Sequence, residues 1–215
     1  MTSSSDVPAP GEFPHALLLL GGSRAEVAVW ASRCVAPIVT VPAQGWTIAI
    51  AAGDAQVGTP YDDAAMLLAA RPVPVKAAPA LGFFQIDDRA VLTVHGMVRP
   101  RSPRWVVWEQ EIGLLRPPGL DLAGPAEIAR LAGCSPAVRD ELVDLLHEAR
   151  SRPLTMLQAI MATLSLPGAR LLADPRLASD LPGAIRYRPA SKEVGFFEDA
   201  VADSVRLRRE LGLLP

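Results

Sequence analysis

The stretch HALLLLGGSRAEVAVWASRCVAPIVTVPAQGWTIAIA, residues 15–51, decides the fold. It opens on a short apolar run, His15–Leu20, halted by Gly21-Gly22, which suits a buried strand stopped by conformationally permissive residues. Ser23-Arg24-Ala25-Glu26 then has capping-box spacing: the serine can accept from the Glu26 amide while the carboxylate reaches back. Val27, Trp30, Ala31 and Cys34 repeat at i, i+3, i+4 and i+7, so one helix face is apolar up to Pro37. Ile38–Val41 and Trp46–Ala51 are β-branched runs around Pro42-Ala43-Gln44-Gly45, which predicts a hairpin.

Outward from that stretch the pattern repeats. Thr59-Pro60-Tyr61-Asp62 is a second start signal, with Thr59 as cap and Pro60 at the first helical position, and it predicts a helix to about Arg71 with Tyr61, Ala64, Leu67 and Leu68 on its apolar face. Prolines 72, 74 and 79 enforce an extended connector. Phe83–Ile86 and Ala90–Val94 flank Asp87-Asp88-Arg89 as a second hairpin, and Trp105–Trp108 pairs with Ile112–Leu115 as a third, with Gly113 where a turn or bulge is needed. The first six elements read βαββαβ. The expected class is therefore α+β: a ferredoxin-like antiparallel sheet with added strands. Pro125–Ala132, Pro136–Ala149, Leu154–Leu164 and Phe196–Leu211 carry helical periodicity, so a helical part follows. The expected organisation is a disordered leader over 1–14, an α+β domain over 15–120 and a helical subdomain over 121–215.

Composition narrows the function classes. With 50% hydrophobic and 20% charged residues, 215 residues bury a real core, while 5% aromatic content leaves little for stacking platforms. Charge is evenly divided, 9 basic against 10 acidic residues in 1–120 and 12 against 13 in 121–215, so neither part is a polyanion binder by composition. Cys34 and Cys134 sit among apolar neighbours and read as buried free thiols. The apolar run 16–20 is too short for a membrane span or a signal core, which places the chain in the cytoplasm with no membrane partner.

Three segments carry four resemblances to functional motifs. Leu17–Arg24 resembles the opening of short-chain dehydrogenases, where glycines let a pyrophosphate approach a helix N-terminus. Here Ala25 and Val27 stand where that family has further glycines, Glu26 puts a carboxylate at the amides a phosphate would need, and no Tyr-x-x-x-Lys pair follows. The same residues read Gly-x-Ser-x-Ala, similar to the nucleophile elbow of α/β-hydrolases, but position 23 precedes the strands that fold requires, and only His95 and His147 lie downstream. Ser23 is therefore read as a helix cap.

Glu127–Val138 resembles the helix-turn-helix of bacterial repressors, with Ala132 for close crossing, Gly133 for the turn and Ser135 as cap. The resemblance implies DNA contact through Ser135 and Arg139, whereas Asp140, Glu141, Asp144 and Glu148 would face an already negative groove. Last, Arg99, Arg101 and Arg104 precede Trp105 and form a possible contact for an anionic partner, alternating with Pro100 and Pro103 in a loop; Trp105 and Trp108 fall on opposite faces of a strand.

No residue qualifies as catalytic, cofactor-binding or metal-ligating: no Walker-type loop occurs, the histidines share no ligand spacing, and the adjacent acids Asp62-Asp63 and Asp87-Asp88 point apart. The expectation is a cytoplasmic, non-catalytic interaction or regulatory protein without a cofactor. It would act through protein contacts and self-associate as a homodimer through an uncovered sheet face and the stripe Phe197, Val201, Val205 and Leu211. The alternative is a DNA-binding regulator using the corner at 125–149.

Overall fold

The computed structural model describes residues 13–97 and 103–212. In chain order the elements are β1 (Ala16–Leu20), α1 (Arg24–Ala31), β2 (Ile38–Ala43), β3 (Trp46–Ala51), α2 (Ala64–Ala70), β4 (Ala80–Ile86), β5 (Arg89–His95), β6 (Arg104–Glu109), β7 (Gly113–Leu115), α3 (Pro125–Leu131), α4 (Pro136–His147), α5 (Pro153–Thr163), α6 (Ala169–Ala173), β8 (Ile185–Tyr187) and α7 (Ser191–Glu210). Short 3-10 segments lie at Val75–Ala77 and Pro175–Asp180.

All eight strands join one antiparallel sheet in the order β7-β6-β5-β4-β1-β3-β2-β8. β1 lies inside it, Leu17 opposite Ile50 on β3 and Phe83 on β4. The class is mixed α and β, as the element order predicts. Each of the three expected hairpins forms, and Gln44-Gly45 closes the first with Gly45 at φ +76, the left-handed conformation that glycine accepts without strain.

Every residue of β1 is buried, because the sheet is covered on both faces. Leu18 and Leu20 meet α1 and α2 through Val27, Trp30, Ala31, Ala64, Ala65, Leu68 and Ala69; the facing strand residues Ala16, Ala49, Ala51 and Ala80 are small enough for these helices to lie close. Leu17 and Leu19 point the other way, with Ile48, Ile50, Phe83, Leu92 and Trp108, into a layer formed by α3–α6. At about 1.5–3 kcal/mol per large apolar side chain withdrawn from water, this double burial is the main stabilising term.

The uncovered face expected as a dimer surface does not exist: Ile128, Leu142, Leu146, Met156, Leu157, Ile160, Met161 and Leu172 occupy it. The two-sidedly apolar strands 46–51 and 105–108 thus have partners within the chain. Gly82 serves a close approach of a different kind. A Cβ there would lie 2.3 Å from the Phe84 ring and 2.4 Å from Thr93 Oγ1, so only glycine lets that ring lie flat along the strand.

The helix boundaries refine the expectations. α2 starts at Ala64, capped by Asp63, whose carboxylate accepts from the amides of Ala65 (2.7 Å) and Met66 (3.2 Å); Thr59 instead donates to Asp62. Both amides reach the same carboxylate oxygen, Oδ1, and an ionised acceptor makes the stronger bonds, so Asp63 takes the cap. α7 begins at Ser191, five residues before the expected start. The C-terminal part is not purely helical: β8 extends the sheet beside β2, pairing Ile38 with Tyr187. The expected leader falls almost wholly outside the described residues.

Candidate functional site

The N-terminus of α1 illustrates how the fold uses its glycines. A Cβ on Gly22 would lie 2.3 Å from the Lys76 carbonyl oxygen and 2.4 Å from the Ala77 Cα, and the Gly22 amide donates to the Ala77 carbonyl at 3.1 Å. The space a pyrophosphate would take in a dinucleotide fold is filled by the chain's own backbone. Ser23 Oγ accepts from the Glu26 amide at 3.3 Å, so it caps α1. Neither downstream histidine reaches it: His147 Nδ1 lies 2.7 Å from the Val143 carbonyl, and His95 is buried at the end of β5.

Of the anionic-contact residues, Arg99 and Arg101 lie outside the described residues. Arg104 is half-buried and engaged within the chain. It pairs with Glu127 at the start of α3, lies 3.4 Å from Asp121 and donates from Nη2 to the Leu122 carbonyl at 2.6 Å. Its charge thus fastens β6 to the segment leading into α3. Trp105 packs half-buried on the α1–α2 side, while Trp108 is fully buried on the other and donates from Nε1 to the Glu148 carbonyl at 3.0 Å. The two indoles do occupy opposite faces, as strand alternation requires.

The corner at 125–149 is built from α3 and α4. Gly133 takes φ +75, the Cys134 amide returns to the Ala129 carbonyl at 2.9 Å, and Ile128, Ala129, Leu142 and Leu146 anchor both helices to the sheet. Ser135 stands at the N-cap of α4 and is exposed, without a side-chain capping bond. Arg139 is exposed and directed to its neighbour Asp140, 2.7 Å away. Glu148 accepts from the amides of Arg150 and Ser151 and from the Ser151 hydroxyl, which closes the turn into α5 and holds its carboxyl below the usual range.

A further concavity escaped the sequence reading. Cys34, Val35 and Ala36 after α1, Leu67, Leu68, Ala70, Arg71 and Pro72 at the end of α2, and Phe197 of α7 enclose a cleft of about 200 Å³. Phe197 also packs edge-to-face on Tyr61, ring centroids 5.5 Å apart. Arg71 lies over the Trp30 ring, 5.1 Å from its centroid, and donates from Nη2 to the Trp30 carbonyl at 3.0 Å. Burial pushes the Cys34 thiol up to about 11, with the Arg71 charge opposing, so Cys34 is a neutral thiol rather than a nucleophile. Its lining comes from positions 34, 71 and 197, a separation no local pattern reveals.

Both cysteines are free thiols, and among the described residues no group of three or more His, Cys, Asp or Glu side chains is placed to hold a metal. No described helix is long and apolar enough to cross a membrane. No family model, curated protein or solved structure matches the chain.

Proposed function

We propose that the chain is a non-catalytic interaction or regulatory protein that associates with itself through α7, on a ferredoxin-like core within residues 15–120. The strand order β4-β1-β3-β2, with α1 and α2 on one face, supports the ferredoxin-like reading of the core. The sheet itself offers no interface: both faces are covered, and its edges are the three-residue strands β7 and β8, too short to template a neighbour.

One observation carries the reading. α7 spans twenty residues, none of them buried. Val194, Phe197, Val201 and Val205 are half-buried, whereas Phe196 and Leu207 are 58% and 55% exposed. These two lie about three helical turns apart on one face, with Asp199, Ala200 and Asp203 between them, and are turned about a quarter of the way round the helix from Phe197. A second copy of α7 is the occupant that matches this spaced apolar pair by symmetry. Sedimentation of the full chain across micromolar concentrations tests this: a dimer is expected, and the double variant Phe196→Asp/Leu207→Asp should sediment as a monomer with an unchanged circular dichroism spectrum. A full-length chain that remains monomeric throughout that range would sink the proposal.

A second reading, DNA binding through the corner of α3 and α4, draws on the exposure of Ser135 and Arg139. Asp140, Glu141 and Asp144 are exposed on the same helix and oppose it. Sub-micromolar, salt-sensitive affinity for duplex DNA, weakened by Arg139→Ala, would put this reading first.

A further inference from the structure

The cleft between α2, the 34–36 segment and α7 combines three properties that together describe a ligand. Its size, about 200 Å³, exceeds the roughly 150 Å³ that admits a benzene ring in an engineered apolar cavity, so it takes one ring or a short branched chain plus a small head group. Val35, Ala36, Leu67, Leu68 and Phe197 make its walls apolar. The charge at its edge is Arg71, which among the described residues has no carboxylate within ion-pair distance. Nη2 is engaged by the Trp30 carbonyl and Nε is buried out of a ligand's reach, which leaves Nη1 without a partner among the described residues. A half-buried guanidinium stacked on an indole, with Nη1 uncommitted, is a preformed counterpart for an oxyanion.

We propose that this cleft binds a small carboxylic acid with a compact apolar body, an aromatic or branched-chain acid, with the carboxylate on Arg71 and the body against Leu67, Leu68 and Phe197. The neutral Cys34 thiol adds no competing charge beside the guanidinium. This site does not depend on the dimer proposed for α7, since Phe196 and Leu207 are not among its lining residues.

The probes are benzoate and isovalerate, each compared with its neutral amide, titrated calorimetrically into the full chain. At least one acid should bind with a dissociation constant in the millimolar range or tighter, and its amide at least about tenfold more weakly, the loss expected of a charge-assisted hydrogen bond. Arg71→Met, which keeps the apolar stem, should weaken the acid to the level of its amide. Failure of both acids to bind, or equal affinity for acid and amide, would each overturn the proposal. The acid–amide contrast uses the unaltered protein and stands even if the Arg71 variant folds poorly.

Discussion

α5 and α7 both follow the helical period, yet they stand at opposite ends of a scale of burial. α5 has no charged residue, and Met156, Leu157, Ile160 and Met161 are all completely buried against the sheet. α7 is longer and buries none of its residues; Lys192, Glu193, Glu198, Asp199, Asp203, Arg206, Arg208, Arg209 and Glu210 crowd around a narrow line of valines and phenylalanines. Periodicity reports that a helix has an apolar side. It does not report whether that side is wide enough to exclude water or what lies opposite it. α5 belongs to the folded body, whereas α7 rests on it through Phe197 and a few half-buried contacts.

The contrast breaks most visibly by deleting methylenes. Ile160→Ala is expected to cost about 2–5 kcal/mol in chemical denaturation, the usual range for a core truncation with limited collapse. A cost below 1 kcal/mol would mean that α5 is held no better than α7.

Acid should act on the body too, through a group buried without help. His95 is 5% exposed, and neither ring nitrogen has a hydrogen-bond partner among the described residues. Burial lowers its imidazole to about 4, from an ordinary value near 6.5. Below pH 6.5 the unfolded chain takes up a proton that the folded protein refuses. The stability associated with neutral His95 is therefore complete above about pH 6.5 and is lost as the pH falls towards 4, on the order of 3 kcal/mol in all. His95→Leu should flatten the wild-type stability curve across that window. Parallel curves for the two proteins would show that the imidazole is not isolated from water.

Smaller effects belong to the caps of the two helices on the alanine-rich face. Asp63→Ala and Ser23→Ala should each cost about 1 kcal/mol, with Asp63 the larger because its carboxylate accepts two amides where Ser23 accepts one at 3.3 Å. Thermal melts of the two variants should rank in that order; the reverse order would return the start of α2 to Thr59.

The smallest effect is expected on α7. Val201→Ala should change stability by less than about 0.5 kcal/mol, since the residue is only half-buried on a helix whose melting does not open the sheet. A loss comparable to that of Ile160→Ala would erase the distinction between the two helices.

What the chain discloses before folding depends on how local the cause is. The first strand, the capped helix and the hairpin of residues 15–51 are set by neighbours within a few positions, and they form where the patterning puts them. α2 was displaced because two caps compete within five residues, Thr59 and Asp63, and side-chain charge rather than spacing decides between them. β8 was invisible: Ile185-Arg186-Tyr187 is too short to show alternation and becomes a strand only because β2 presents an open edge. The strands were legible as apolar, but the sheet was expected to leave one face uncovered, because the helix α5 that covers β4 and β5 lies far downstream of them in the chain. The same distance hid the cleft. Arg104 read as a free cation because nothing beside it in sequence announces Glu127 as its partner.

The place of β1 has a consequence for how the chain is made. Leu17–Leu20 leaves the ribosome before the strands of Ile50 and Phe83, its neighbours in the sheet. α1 and α2 emerge among those strands and can close one side of the nascent sheet as it assembles. The residues that shield Leu17 and Leu19 on the other side, from Ile128 to Leu172, come last. Between these events, when synthesis has passed β7 but not reached α3, the growing chain carries a sheet with one dry face and one wet, apolar face, the kind of surface that chaperones retain and that aggregates when they do not.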